Sequence, residues 1–138
     1  MRFESVSPYL YYGEHAGEAL DWLARVFEFG ESTRYVDDQG RVQEGHIMVG
    51  DTPVMICGAS PEPGHGQGLL LVVTLDDVDA HHVHTTAAGV DADPPEDKPY
   101  GPRAYGVTDP WGYQWMFWQE VHGYTEDGKE NALHEVKV

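Results

Sequence analysis

Residues 100–117, YGPRAYGVTDPWGYQWMF, place two strand-like runs on either side of a turn. RAYGVT (103–108) and YQWMFWQ (113–119) are rich in aromatic and β-branched side chains, which suit a pleated, half-buried surface. Between them Asp109 favours turn entry, Pro110 presets φ, and Gly112 accepts a backbone conformation that other residues resist. The stretch reads as a β-hairpin. Alternation puts Tyr113, Trp115 and Phe117 on one face, toward the helices, and Gln114, Met116 and Trp118 on the other.

Upstream, the prolines of VDADPPEDKP (90–99) forbid central pairing, so this is a ragged edge segment. DDVDAHHVHTTAAG (76–89) reads as a helix with Asp near its start and Gly at its end, and LLLVVTL (69–75) as a buried strand. The order is therefore β-α-β-β-β, and the first half of the chain repeats it. VSPYLYY (6–12) is a strand. Ala16, Ala19, Leu20, Leu23, Val26 and Phe27 recur at helical spacing and predict an amphipathic helix ended by Gly30. STRYVD (32–37) and RVQEGHIMV (41–49) flank a DDQG hairpin turn, and VMIC (54–57) follows the turn residues GDTP. The expectation is a single α+β domain: module one about 5–58, a Gly/Pro-rich linker 59–68, module two about 69–120, and a polar tail 121–138. Pairing the two sheets would leave a concave cup suited to a small ligand.

Acidic residues outnumber basic ones 24 to 8, a formal charge of −16. Such a field repels phosphate backbones and anionic lipid surfaces, which excludes nucleic acid and membrane as partners. No apolar run approaches the ~20 residues that a membrane span needs. The opening MRFESVSPYLYYGEH lacks the pattern of a secretory signal, and the single Cys57 permits no intrachain disulfide; both point to the cytoplasm. Cys57 has no basic neighbour to activate it and is expected to be buried and inert.

In PYLYYGEHAGEALDWLARVFEFGE (8–31), GRVQEGHIMVGDTPVMI (40–56), LDDVDAHHVHTTAAGV (75–90) and YGPRAYGVTDPWGYQWMF (100–117), taken in that order, the chain resembles the vicinal-oxygen-chelate superfamily. That group contains glyoxalase I, bleomycin-resistance proteins and extradiol dioxygenases, and the likeness is to its PhnB-like and glyoxalase-like branches. The resemblance implies two βαβββ modules forming a cupped, incompletely closed β-barrel, and a homodimer. It also implies, in the metal-dependent members, His, Gln or Glu ligands near the first and last strands of each module. Carried across residue by residue, those positions are Ser7 or its neighbour, Ile56, Leu70 and Met116. Ile, Leu and Met give a divalent ion no oxygen or nitrogen donor, so no metal tetrad and no cofactor are expected.

Glu44 and His46 lie two apart on a strand and share a face. Where many PhnB-like chains carry His-Ala-Glu, this one reads Glu-Gly-His. Three readings stay open: a divalent metal site, general acid–base use, or polar lining. If the family's ligand positions face the cup, Tyr9 and Tyr11 do too, as do Val54 with Ile56, and Leu70 with Val72 and Thr74. The expected ligand contacts are Tyr9, Tyr11, His46 and Tyr105, with Gln114, Met116 and Trp118 from the last strand. Arg103 either clamps a ligand anion or pairs with an acidic side chain such as Asp109. His81, His82 and His84 are expected on a solvated helix face and His65 exposed in the linker, while His15, His122 and His134 carry no signal.

The leading expectation is a metal-independent protein of the glyoxalase/bleomycin-resistance type that binds a small aromatic or cationic molecule. The alternative is a lyase, isomerase or dioxygenase using Glu44 and His46, with or without a divalent metal. A regulatory domain with a filled cup is the third class.

Overall fold

The computed structural model describes residues 1–59, 62 and 66–120, with Ser32 by its backbone alone. The expectations for His65, His122, His134 and the tail 121–138 lie outside the described residues. The fold is mixed α+β, with two βαβββ motifs of identical order. The chain divides into two compact units, Met1–Leu69 with the turn Asp109–Tyr113, and Leu70–Thr108 with the strand that begins at Gln114.

The first unit contains β1 (Tyr9–Tyr11), α1 (Ala16–Phe27), β2 (Gly30–Val36), β3 (Val42–Val49) and β4 (Thr52–Cys57). Its sheet runs β1-β4-β3-β2, with β1 parallel to β4 and the other pairs antiparallel. The periodic residues of α1, Ala16, Ala19, Leu20, Leu23, Val26 and Phe27, are all buried. They pack on Leu10, Ile47, Val54 and Ile56, which fill one face of the sheet. Glycine at position 45 makes the approach possible, because a Cβ there would stand 2.3 Å from Leu20 Cδ1. The helix stops before Gly30: Glu28 takes the left-handed turn at φ 63°, and Gly30 opens β2.

Val54 and Ile56 therefore do not share a face with Tyr9 and Tyr11, contrary to expectation. In register Tyr9 stands beside Met55 and Tyr11 beside Cys57, so β4 turns Met55 and Cys57 to the open face. The physical reason is helix cover: the most apolar pair on the strand goes where water is excluded. Cys57 is buried, as expected.

The turn Asp109–Tyr113 has the geometry its sequence predicts. Asp109 N–H donates to Tyr113 O at 2.8 Å, Gly112 N–H donates to Asp109 O at 3.1 Å, and Gly112 has φ 99°. Tyr113 was expected to pack toward a helix. Its hydroxyl instead accepts from Tyr11 N–H and donates to Tyr11 O, both at 2.9 Å. One phenol thus satisfies both backbone groups on the outer edge of β1, as a neighbouring strand would.

The second unit contains β5 (Leu70–Thr74), α2 (Val78–Ala87), β6 (Glu96–Asp97), β7 (Pro102–Thr108) and β8 (Gln114–Glu120). Its sheet runs β5-β8-β7-β6. Asp77 caps α2, its Oδ1 accepting from Ala80 N–H at 3.0 Å. The buried stripe of α2 is Val78, His81 and Thr85, packed with Tyr105, Trp115 and Phe117.

His81 is thus not on a solvated face. Its Nδ1 lies 2.6 Å from the Tyr105 hydroxyl and its ring 4.3 Å from that of Phe117. Tyr105 donates on to Thr85 Oγ1 at 2.9 Å, and burial pushes its pKa up to about 12. His82 is half-buried against Ala92 O at 3.0 Å. A polar stripe is tolerated under the helix because its members satisfy one another. Tyr105→Phe removes the hydroxyl that serves both His81 and Thr85. The expected loss is about 1–3 kcal/mol of unfolding free energy, read by urea titration; an unchanged midpoint would show the network to be idle.

Candidate functional site

Each sheet has one face covered by its helix and one open, and the open face of the first sheet carries the polar chemistry. Register puts Tyr35 opposite Glu44, Glu44 opposite Cys57, and His46 between Thr33 and Met55. Tyr9 and Tyr11 complete the surface from β1. The strands fix these positions because α1 seals the other side, so alternate residues must turn outward.

Glu44 is the centre of the group. Its Oε1 accepts from the Tyr9 hydroxyl at 3.0 Å, and its Oε2 lies 3.1 Å from His46 Nε2. The Tyr9 phenol is held above its usual pKa, first by hydrogen bonding with Cys57, then by burial and by the Glu44 carboxylate. The rings of Tyr9 and Tyr11 meet edge to face, with centroids 5.4 Å apart. Tyr35 meets the His46 ring at 5.9 Å, also edge on. The Glu44 and His46 side chains are only 30% and 26% exposed, whereas Tyr9, Tyr11 and Tyr35 are 37%, 43% and 55% exposed. A half-buried carboxylate is thus framed by partly exposed phenol rings. Along the outer edge of β1 a pocket of about 340 Å³ is lined by Tyr9, Leu10, Tyr11, Gly66, Gln67, Leu69 and Tyr113.

The open face of the second sheet is different in kind. Leu70 pairs with Gln114, Val72 with Met116 and Thr74 with Trp118. Leu70 and Val72 are 48% and 50% exposed, and Tyr100 covers one side of Trp118 at 5.7 Å. Trp118 Nε1 donates to Glu120 Oε1 at 2.7 Å. Among these residues the surface is apolar, with amide and hydroxyl groups at its ends.

Arg103 and Tyr105 are not on that face. Arg103 pairs in register with Gln119 and Tyr105 with Phe117, which turns both toward α2. Arg103 spans Asp79 (Nε at 3.0 Å, Nη2 at 2.9 Å) and Asp97 (Nη1 at 3.2 Å). The guanidinium holds the Asp79 carboxyl below its usual range. Its partners are these two acids and not Asp109, whose carboxylate binds Tyr12 and its own turn. Arg103 therefore ties α2 to β6 and β7.

Two residues of the first open face escaped sequence reading. Tyr35 lies in a strand-like run that carries no separate signal for it, although its spacing from Thr33 places both on one side. Met55 was masked by the assignment of Ile56 to the open side.

A divalent metal needs several oxygen or nitrogen donors in one place. Among the described residues no three His, Cys, Asp or Glu side chains converge to hold one. Glu44 and His46 are two donors bonded to each other, and their open-face neighbours are phenols, sulfur groups and Thr33. On the second sheet Leu70 and Met116 offer no oxygen or nitrogen.

Comparison with known proteins agrees with the fold. The model of the Glyoxalase/Bleomycin resistance protein/Dioxygenase superfamily matches residues 5–117. TioX from Micromonospora sp. ML1 is 30% identical at a TM-score of 0.70, with 85% of this chain and 100% of that one covered. TnmS3, an antibiotic binding protein from Streptomyces sp. CB03234, is 25% identical at a TM-score of 0.66, covering 88% of this chain and 100% of its own. The bleomycin resistance determinant encoded on the transposon Tn5 shares the fold at 16% identity and a TM-score of 0.67, with 86% and 99% covered. No curated protein sequence matches the chain. Among the described residues no helix is long and apolar enough to cross a membrane. The repeated βαβββ order and a family match over most of the chain lead to one conclusion: it belongs to the glyoxalase/bleomycin resistance protein/dioxygenase superfamily.

Proposed function

We propose that this chain binds a small aromatic or cationic molecule without a resident metal, on the open face of its first sheet. The observation that carries this is the arrangement of Tyr9, Tyr11 and Tyr35, exposed rings on one sheet face around the half-buried Glu44. Phenol rings supply stacking area and attract cations to their faces. The charge of −16 draws cations toward the protein from a distance. The likeness to TnmS3, described as an antibiotic binding protein, points the same way.

The test uses three planar probes of similar size: ethidium, a permanent cation; phenanthridine, its neutral core; and a sulfonated, anionic dye. A ligand that binds only the folded state raises the melting temperature. Ethidium or phenanthridine is expected to do so, and the anionic dye is not. Tyr11→Ala should weaken binding about fivefold, in line with the loss of one ring contact. A melting temperature indifferent to both ethidium and phenanthridine would sink this reading.

The His46–Glu44 contact favours a second reading, acid–base catalysis, because a carboxylate that orients an imidazole is the usual partner of a general base. The two part on mass balance. Binding returns the ligand unchanged after incubation, and catalysis does not.

A further inference from the structure

We infer that the pocket along the outer edge of β1 is a second binding site, taking a neutral hydroxyaryl compound whose phenol group bridges the main-chain N–H and C=O of Tyr9. It stands beside the open face of the first sheet, asks for no charge on its ligand, and is independent of what binds on that face.

The molecule makes this contact once already. Met55 N–H donates to Pro8 O at 2.9 Å and Tyr12 N–H donates to Cys57 O at 3.0 Å, so the even-numbered residues of this stretch turn their main-chain groups to β4. Along a strand the residues between them turn theirs the other way, and Tyr9 and Tyr11 therefore face the outer edge. At Tyr11 a single hydroxyl takes both groups: Tyr113 Oη accepts from the N–H and donates to the C=O, each at 2.9 Å. Burial, above all, holds the Tyr113 phenol above its usual pKa, so it keeps the proton it donates. Two residues back, about 7 Å along the strand, Tyr9 offers the same pair on the same side. A phenol placed there repeats at Tyr9 what Tyr113 does at Tyr11.

The pocket has room for such a group. Its volume of about 340 Å³ lies at the small end of the range for ligand sites, and a compound of two fused rings fits it. Its residues are three tyrosines, two leucines, a glycine and a glutamine, with no charged side chain among them. An ionic ligand meets no opposite charge in that lining, whereas neutral rings gain from phenol and leucine surface. One wall is set by backbone. Gly66, at φ 66°, lies so close to the turn Asp109–Tyr113 that a Cβ would stand 2.6 Å from Gly112 O and 2.9 Å from Tyr113 Cα. Leu69 N–H donates back to Gly66 O at 3.2 Å, closing 66–69 into a turn that carries Gln67 and Leu69. Every residue of the pocket belongs to the first unit, so the site is complete within it.

The probe is 2-naphthol, which is neutral at about pH 7. An NMR titration of protein with isotope-labelled tyrosine amides reads affinity and place together. The Tyr9 amide resonance is expected to move further than that of Tyr35, which lies on the opposite edge strand, β2. The methyl ether, 2-methoxynaphthalene, keeps both rings and loses the proton for Tyr9 O, so it should bind about fivefold more weakly. Leu69→Ala removes apolar wall and should weaken 2-naphthol about threefold. Leu69→Trp fills the cavity and should abolish binding.

Four results would overturn the site: no binding of 2-naphthol, equal affinity for its methyl ether, a Tyr9 amide that moves no further than that of Tyr35, or wild-type affinity in both Leu69 variants. Equal affinity for naphthol and ether, with Tyr35 moving most, assigns the rings to the open face; the edge site then falls and the open-face reading stands. The responses to ethidium and phenanthridine bear on the open-face reading alone.

Discussion

Asp109→Ala is expected to lower the unfolding free energy by about 3–5 kcal/mol, because it strips several hydrogen bonds from a buried carboxylate at one stroke. Asp109 is 3% exposed. Its Oδ1 accepts from Trp111 N–H and Tyr113 N–H, both at 3.0 Å, and its Oδ2 accepts from the Tyr12 hydroxyl at 2.8 Å. Tyr12 is fully buried, and burial first and Asp109 second hold its phenol far above the usual pKa, so the hydroxyl has to stay protonated and find an acceptor. Alanine leaves that hydroxyl and two turn N–H groups unpaired. It also loosens Tyr113, whose hydroxyl closes the edge of β1 beside Tyr9 and Tyr11. Asp109→Asn keeps an oxygen for the two turn N–H groups but turns an amide NH2, which accepts nothing, to the Tyr12 hydroxyl, so its cost should lie below that of alanine, at about 2 kcal/mol. Urea unfolding followed by tryptophan emission reads both. Equal losses for Ala and Asn would place the effect in the Tyr12 contact and not in the turn N–H bonds.

That pair also marks what the sequence could and could not disclose. The turn was legible because Asp, Pro and Gly each suit a local φ/ψ requirement, and local requirements are written in short stretches. The helix α1 was legible because its buried positions are all apolar and recur at helical spacing. The partner of Asp109 was not, because Tyr12 lies far along the chain and only tertiary structure brings it near. The same holds for Arg103, expected to clamp a ligand anion or to pair with an acid such as Asp109, which instead reaches Asp79 on α2 and Asp97 on β6.

In α2 the inner stripe is Val78, His81 and Thr85, and a rule that equates inside with apolar assigns two of those to water. The available signal was Val78, His81 and Thr85 at helical spacing, with Tyr105 on a neighbouring strand to receive the imidazole. On β4 the error was a choice of face. Strand alternation gives two solutions that differ by one residue, and only the cover of α1 decides between them. Of the candidate site, Glu44 and His46 on one face were read correctly from their spacing, while the tyrosine opposite them needed the register of β2 on β3.

The steric demands of the first unit lead to the other large effect, at Gly58. A Cβ added there would stand 2.1 Å from Val42 O and 2.9 Å from Ala16 Cβ. Both atoms are fixed: one is the backbone of β3 and the other belongs to the first residue of α1. Rotation of a side chain relieves neither contact. The Gly58 N–H donates to Gln43 O at 2.9 Å, so the residue cannot swing away without losing a bond that continues the β3–β4 ladder. Gly58→Ala must therefore pry β3 from β4 or lift the start of α1, and about 3 kcal/mol or more is expected to be lost. The disturbance falls beside Cys57 and Glu44, which pair in the next register position, so ethidium binding should weaken along with stability. Gly45→Ala supplies the contrast. Its Cβ would approach Leu20 Cδ1 at 2.3 Å, yet that atom ends a flexible side chain that can rotate, and about 1–2 kcal/mol is expected. Urea midpoints for the two variants should fall in that order. A Gly58→Ala protein as stable as Gly45→Ala would mean that β3, β4 and α1 do not meet as closely at this corner as the structure has them.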